Sequence, residues 1–231
     1  MIYANRVEAG RRLASCLKHY ANRKDVIVLG VPRGGVPVAF EVARALNAPL
    51  DVFVLRKLGV PQREELAFGA VASGGVRVLD PRTIEALGIS DLEIEMVTSA
   101  ERTELERRER AYRGARSPLY VDGMAVILVD DGIATGSSVR AAVQALRRMN
   151  PARIVVATPV APASTCRRLR LDADELVCPE IPQIFYGVGQ FYEDFSQVSD
   201  EEVVQLLDRA AQQPRVDNEE DMGMATKGAP R

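Results

Sequence analysis

Residues 126–138, VILVDDGIATGSS, set two adjacent carboxylates, Asp130 and Asp131, at the end of an apolar run. The run reads as a buried strand, and the pattern that follows, SSVRAAVQALR, reads as an amphipathic helix. Neighbouring carboxylates repel, so something must offset them: sugar hydroxyls, a magnesium ion or a basic side chain. Between strand and helix lies Gly132–Ser138. Its small residues let backbone N–H groups face outward, and Thr135, Ser137 and Ser138 add hydroxyl donors. The dipole of the helix points its positive end the same way, which makes a cradle for a phosphate. The loop has no G-K-[ST] lysine and no G-x-G-x-x-G run, so it suits neither a nucleoside triphosphate nor a dinucleotide. A monophosphate on a body whose hydroxyls meet the aspartates fits, and ribose 5-phosphate has that shape. An isolated Asp-Asp-Gly would read as no more than a turn and a helix cap.

Strand–helix alternation positions these groups. Residues 5–22 carry Leu13, Leu17 and Ala21 at helical spacing. Val26–Leu29 reads as a strand, Gly30–Gly35 as a loop, 37–46 as a helix and Asp51–Leu55 as a second strand. Residues 56–66, RKLGVPQREEL, read as polar and mobile, and 67–79 as a hairpin turning at Ser73-Gly74-Gly75. The stretch 91–116 is mostly charged, with Glu104–Arg108, Glu106–Arg110 and Glu109–Arg113 at i,i+4. It reads as a long helix with a thin apolar seam, a solvated face or a dimer contact, and it interrupts the alternation as an insertion. Strands at 124–129, 153–158 and 175–178 then alternate with helices at 137–149 and 162–170, and a last helix covers 200–211. Wholly apolar strands alternating with helices imply a doubly wound, mainly parallel α/β sheet covered on both faces. Residues 212–231 are polar and aperiodic, and read as a disordered tail.

Composition narrows the classes. The 231 residues are 47% hydrophobic, carry a formal charge of -2 and have a pI near 5.7. That argues against nucleic acid as the main partner. No apolar stretch approaches a membrane span, and the first residues lack the core of a signal peptide. Cys16, Cys166 and Cys178 lie far apart, which suits a reducing cytoplasm. The single histidine, His19, sits in a helical pattern and reads as a surface residue, against Ser-His-Asp chemistry and His-based zinc sites.

The segment VILVDDGIATGSS closely resembles the phosphoribosyl-diphosphate (PRPP) signature of type I phosphoribosyltransferases. Three further segments resemble that family in the expected order: GVPRGG (30–35), VLRK (54–57, ending the second core strand) and IPQIFYGVGQFYEDF (181–195). The run from the first helix to the last also resembles a subgroup of bacterial phosphoribosyltransferase-domain proteins with PRGG, VRK-[LV]-G, DDG-[IV]-ATG and VGxxYxDF motifs. The resemblance implies the type I fold over residues 1–211, with a small hood including 179–195 and a helical insertion at about 81–120. It implies that Ala134, Thr135, Gly136, Ser137 and Ser138 hold the 5-phosphate, and that Arg33, Gly34, Gly35, Arg56 and Lys57 hold pyrophosphate. Asp130 and Asp131 become the catalytic acids, meeting the ribose hydroxyls and, directly or through water, Mg2+. Phe185 and Tyr186 become the base-stacking residues. The family's flexible loop falls at Leu58–Leu66.

The implied reaction is Mg-dependent transfer of phosphoribose from PRPP to a purine- or pyrimidine-like base, with release of pyrophosphate. It implies small-molecule partners, no nucleic acid, no membrane and, by family resemblance, a homodimer. Ala134 stands where hypoxanthine-guanine enzymes carry an aspartate and adenine enzymes an alanine. No lysine occurs at Pro159–Val160, where oxopurine enzymes read the 6-oxo group. Gln62 and Arg63 stand where the subgroup often has Gly-Asn. The alternatives are a PRPP- or nucleotide-sensing regulatory domain without turnover, and a nucleotide-binding α/β domain of unrelated activity.

Overall fold

The computed structural model describes residues 2–61, 63–114 and 116–212, with the side chains of Glu64 and Glu65 left aside. Five strands form one parallel sheet: β1 (Val26–Gly30), β2 (Leu50–Val52), β6 (Ala125–Val129), β7 (Arg153–Ala157) and β8 (Glu175–Val177). Their spatial order is β2-β1-β6-β7-β8. The central strands β1 and β6 are apolar throughout because both faces are covered, and β7 is so from Ile154 onward, whereas the edge strands β2 and β8 carry Asp51 and Glu175. Val26 and Val28 pack with Ile127 under α1 (Arg6–Cys16) and α2 (Gly35–Leu46). Ile27 and Leu29 pack with Val126 and Leu128 under α5 (Ser137–Arg147) and α6 (Ala163–Asp172). Neighbouring residues therefore serve opposite cores. From β1 the chain winds toward β2 on one side, and later toward β6 on the other. The carboxyl ends of β1 and β6 thus flank the point where the winding reverses, the place where an open α/β sheet leaves a crevice for ligand. Gly30 and Val129 are register partners there.

The second core strand ends earlier than its apolar pattern suggests. β2 stops at Val52, and Arg56 and Lys57 lie instead on β3 (Leu55–Val60), in a separate antiparallel sheet ordered β3-β4-β5 with β4 (Arg63–Ala72) and β5 (Val76–Leu79). The reason is pairing. β2 borders only β1, which ends at Gly30, and the Phe53 N–H makes the last bond, to the Gly30 carbonyl. Beyond it Val54 exchanges bonds with Ser73, and Leu55 pairs with Ala72. The stretch read as mobile is consequently strand on both sides of Gln62, which lies outside the described residues. The hairpin over 67–79 is present, with its turn at Ser73–Gly75.

The long charged helix is α4 (Asp91–Arg113), preceded by α3 (Pro81–Leu87). Its buried residues are Ile94, Thr98, Leu105 and Tyr112, a seam that joins two clusters. Ile94 packs with Leu58, Val60 and Phe68 of the small sheet. Leu105 and Tyr112 pack with Val52, Phe40 and residues of α7 (Asp200–Gln212). Of the three i,i+4 pairs, Glu104–Arg108 is formed at 2.8 Å. Arg110 turns to the Glu106 carbonyl, and Arg113 reaches Asp51 at 2.7 Å. The Arg113 and Asp51 side chains are only 10% and 17% exposed, and burial raises the Asp51 pKa despite the guanidinium beside it. Arg113→Ala would leave that buried carboxylate without its ion-pair partner, with the Val52 N–H still bonded to it. We expect a loss of about 3 kcal/mol and a midpoint about 10 °C lower in a thermal melt.

No helix among the described residues is long and apolar enough to cross a membrane. His19 faces Glu175 at the amino end of β8, the opposite edge of the sheet from the crevice. Helix α7 ends at Gln212, so the expectation for 213–231 lies outside the described residues.

Candidate active site

Two loops meet at the reversal point. The first leaves β1 at Val31, whose N–H bonds the Val129 carbonyl, and enters α2 at Gly35; the Pro32–Arg33 peptide is cis. The second leaves β6 at Asp130 and enters α5 at Ser137. They touch closely enough to exclude any side chain. A Cβ on Gly34 would lie 2.0 Å from Asp131 Oδ2, and one on Gly35 would lie 2.6 Å from the Val129 carbonyl oxygen. These glycines are required for the approach rather than for an unusual backbone, since Gly34 has ordinary right-handed angles.

The twin acids differ in their surroundings. Asp130 accepts the Asp131 N–H at 2.9 Å. Burial, and then the charge of Asp131, hold its pKa well above the usual carboxylate range. Burial also raises the Asp131 pKa, but Arg6 opposes it, with its Nε donating to Asp131 Oδ2 at 2.8 Å. The Tyr192 hydroxyl donates to the Asp131 carbonyl. Burial, and then Asp131, push the Tyr192 hydroxyl pKa up.

Past the acids, Gly136 stands at the N-cap of α5 in the left-handed conformation (φ 77°) and has no side chain to cap it, while Thr135 Oγ1 accepts the Ser137 N–H at a long 3.4 Å. The first-turn N–H groups therefore keep an end suited to an anion. The loop is braced from behind: Thr165 donates to the Ala134 carbonyl and Arg168 to that of Thr135. The Thr135 and Ser137 hydroxyls lie 3.3 Å apart, and Lys57 reaches Ser137 Oγ at 2.9 Å from the small sheet. Arg56 pairs with Glu101 of α4 at 2.6 Å. Arg56, Lys57, Pro32 and Ser138 all face one cavity of about 690 Å3, which the apolar residues Met96 and Val97 of α4 close from the far side.

The sequence-predicted residues thus fall into two sets. Gly34 and Gly35 meet Asp130 and Asp131 at the reversal point, Lys57 reaches Ser137 of the 134–138 loop, and Arg56, Lys57 and Ser138 line the neighbouring cavity, whose lining does not include the two glycines or the two acids. Arg33 lies 4.0 Å from Asp200 and is half-exposed. The hood aromatics split. Phe185 stacks on Phe191 at 5.5 Å within a small core, whereas the Tyr186 ring is 91% exposed and its N–H is taken by Gln190. Gly132 fits the acids to the hood, because a Cβ there would lie 2.2 Å from Val188.

Arg6, Thr165 and Arg168 touch this site and carry no local sequence signal, being ordinary residues of amphipathic helices. Tyr192 belongs to the VGxxYxDF motif, but its contact with Asp131 is not visible in the pattern. Among the described residues no cluster of three or more His, Cys, Asp or Glu could hold a metal unaided.

Known proteins resemble the chain over most of its length. A family model described as "Phosphoribosyl transferase domain" matches residues 1–196. "Putative phosphoribosyl transferase Rv0571c" of Mycobacterium tuberculosis is 46% identical over 209 residues, covering 90% of this chain and 47% of the relative. The chain therefore spans about half the length of the curated relatives it matches. The crystal structure of TT1426 from Thermus thermophilus superposes with a TM-score of 0.80 at 41% identity, over 90% of this chain and 98% of that one.

Proposed function

The chain belongs to the phosphoribosyl transferase domain family, and from that premise we propose that it transfers phosphoribose from PRPP to a nitrogenous base and releases pyrophosphate. The observation that carries this reading is the contact at the reversal point, where the Gly34 backbone lies against the Asp131 carboxylate. It sets a glycine loop, two acids and the start of α5 around one crevice. In that crevice a phosphate, a diol and a second anionic group would lie within the span of a single sugar.

The residues then take these roles. Backbone and hydroxyl donors of Ala134, Thr135, Gly136, Ser137 and Ser138 hold the 5-phosphate. Asp130 and Asp131 accept from the ribose hydroxyls, which fixes the ring and sets negative charge near the carbon that becomes electron-poor. A base nitrogen attacks C1 as the C1–O bond to pyrophosphate breaks, through an oxocarbenium-like state of the kind met in glycoside chemistry. No protein nucleophile is needed; positioning and charge stabilisation suffice. Arg33, the Gly34 N–H, and Arg56 and Lys57 receive the leaving pyrophosphate, with Gly35, whose N–H is held by the Val31 carbonyl, letting the loop come close. Tyr186 supplies the stacking face for the base, and Phe185 anchors the hood beside it by stacking on Phe191.

The donor set also fits magnesium. Two carboxylates are hard oxygen ligands, and Mg2+ commonly takes one or two of these and completes its shell with water and substrate phosphates. Asp130 and Asp131 would hold it, and it would neutralise charge on the departing pyrophosphate.

A pyrophosphate-release screen with PRPP, Mg2+ and a panel of purines and pyrimidines tests the reading. Release that depends on one base is the expected result. Calorimetric PRPP binding with no release on any base would instead favour a sensing domain. Absence of PRPP binding would overturn the proposal.

A further inference from the structure

Arg6 is the first residue of α1, 125 positions from the acids in sequence, yet it makes the closest charged contact with them. Its side chain is 11% exposed. Nε donates to Asp131 Oδ2 at 2.8 Å, and Nη1 donates to the Ser196 carbonyl at 2.8 Å. The guanidinium lies over the Phe195 ring, 4.1 Å from its centroid, and 5.9 Å from that of Tyr192. Tyr192 in turn stacks on Phe195 at 5.0 Å and holds the Asp131 backbone carbonyl.

The start of α1 is itself tied to the same segment. Tyr3 donates to the Phe191 carbonyl, Glu193 to that of Tyr3 and Asp194 to that of Ala4. Asn5 caps the helix through the N–H groups of Val7 and Glu8. Arg6 is thus held on three sides, and each of its contacts has the fixed angle of a planar fork.

We propose that Arg6 is a positioning residue: it fixes the Asp131 carboxylate for the sugar diol and couples it to the 191–196 segment of the hood. This rests on the assignment of Asp131 to the ribose hydroxyls. One oxygen, Oδ2, is given to Arg6, and Oδ1 is presented to a hydroxyl donor. Discrimination for a pentose bearing its 2-hydroxyl then depends on Arg6, although Arg6 itself does not reach the sugar. A lysine keeps the charge but cannot bridge Asp131 and Ser196 together.

The test compares ribose 5-phosphate with 2-deoxyribose 5-phosphate, titrated by ligand-observed NMR against wild type, Arg6→Met and Arg6→Lys. Circular dichroism and melting confirm the fold of each. Wild type is expected to prefer the ribose form by about tenfold, the size of one hydrogen bond to a charged group. Arg6→Met should keep the phosphate affinity and lose the preference, and Arg6→Lys should lose most of it. If Arg6→Met weakens both sugars equally, Arg6 is only a staple between helix and hood, and the proposal fails. Should Arg6→Met not fold, Arg6→Lys decides: the full wild-type preference in that variant overturns the proposal. Wild type binding neither sugar, or both alike, removes the parent assignment and this inference with it. A preference in wild type that survives in the variants removes this inference alone.

Discussion

Gly34→Ala is expected to weaken PRPP binding about a hundredfold, the scale of an ångström-sized misplacement in a site built on orientation. The added Cβ would sit 2.0 Å from Asp131 Oδ2 and 2.7 Å from its Cγ. Neither loop can yield cheaply. Gly34 is tied at both ends: Val31 bonds the Val129 carbonyl, and Gly35 bonds the Val31 carbonyl. Asp131 is held by Arg6 on its side chain and by Tyr192 on its backbone. The carboxylate must therefore rotate away and take the Arg6 pair with it. Gly34 has φ −60° and ψ −31°, angles that alanine adopts freely, so secondary structure should be retained. Gly187→Ala is the matched control. It lies in the hood, where an added Cβ meets nothing within 4 Å, and its PRPP affinity should equal wild type by calorimetry. Unchanged affinity in Gly34→Ala would mean that the sugar does not lie against these acids.

Much of this architecture is written in local pattern. The central strands are legible because they are apolar on both faces, and the phosphate loop because its residues are contiguous. The small sheet is harder to read. β3 does alternate, with Leu58 and Val60 buried, but its pairing with β4 shifts register at Leu58/Gly59 and again at Gly59/Val60. Those irregularities break the period-two signal and leave RKLGVPQREEL looking merely polar. Arg56 and Lys57 line a cavity beside the phosphate loop, but from a different sheet than their position after Val54 suggests. Partner choice along α4 is no more legible. Arg113 stands in register with Glu109 yet bonds Asp51, and Glu109 Oε1 is left buried without a hydrogen-bond partner, a choice that helical spacing does not show. Arg6 and Tyr192 illustrate the general limit. Each is an ordinary residue in its own neighbourhood, and its meaning lies in a contact 125 or 61 positions away.

Asp130→Asn is expected to raise thermal stability while abolishing transfer, a combination that separates a functional acid from a structural one. Burial comes first, and the Asp131 charge second, among the causes that raise the Asp130 pKa. The folded protein therefore keeps a proton that the unfolded chain releases in the ordinary carboxylate range. Between that range and the raised folded value the native state binds more protons than the unfolded state, so stability falls as pH rises. Above the window the full penalty remains. An asparagine carries no charge to desolvate, and its Oδ1 can still accept the Asp131 N–H that Asp130 accepts at 2.9 Å. The melting curves of variant and wild type should coincide near pH 4 and separate as pH rises, with the variant higher by several degrees at pH 8. Asp131→Asn should gain less, because Arg6 already offsets part of the burial that raises the Asp131 pKa. Both substitutions should lower turnover with PRPP about a hundredfold or more, the typical cost of losing one preorganised charge-stabilising group. A lower melting point for Asp130→Asn at pH 8 would mean that the carboxylate has a stabilising partner in the fold. Its retention would then be structural, and the site would have to be sought away from the reversal point.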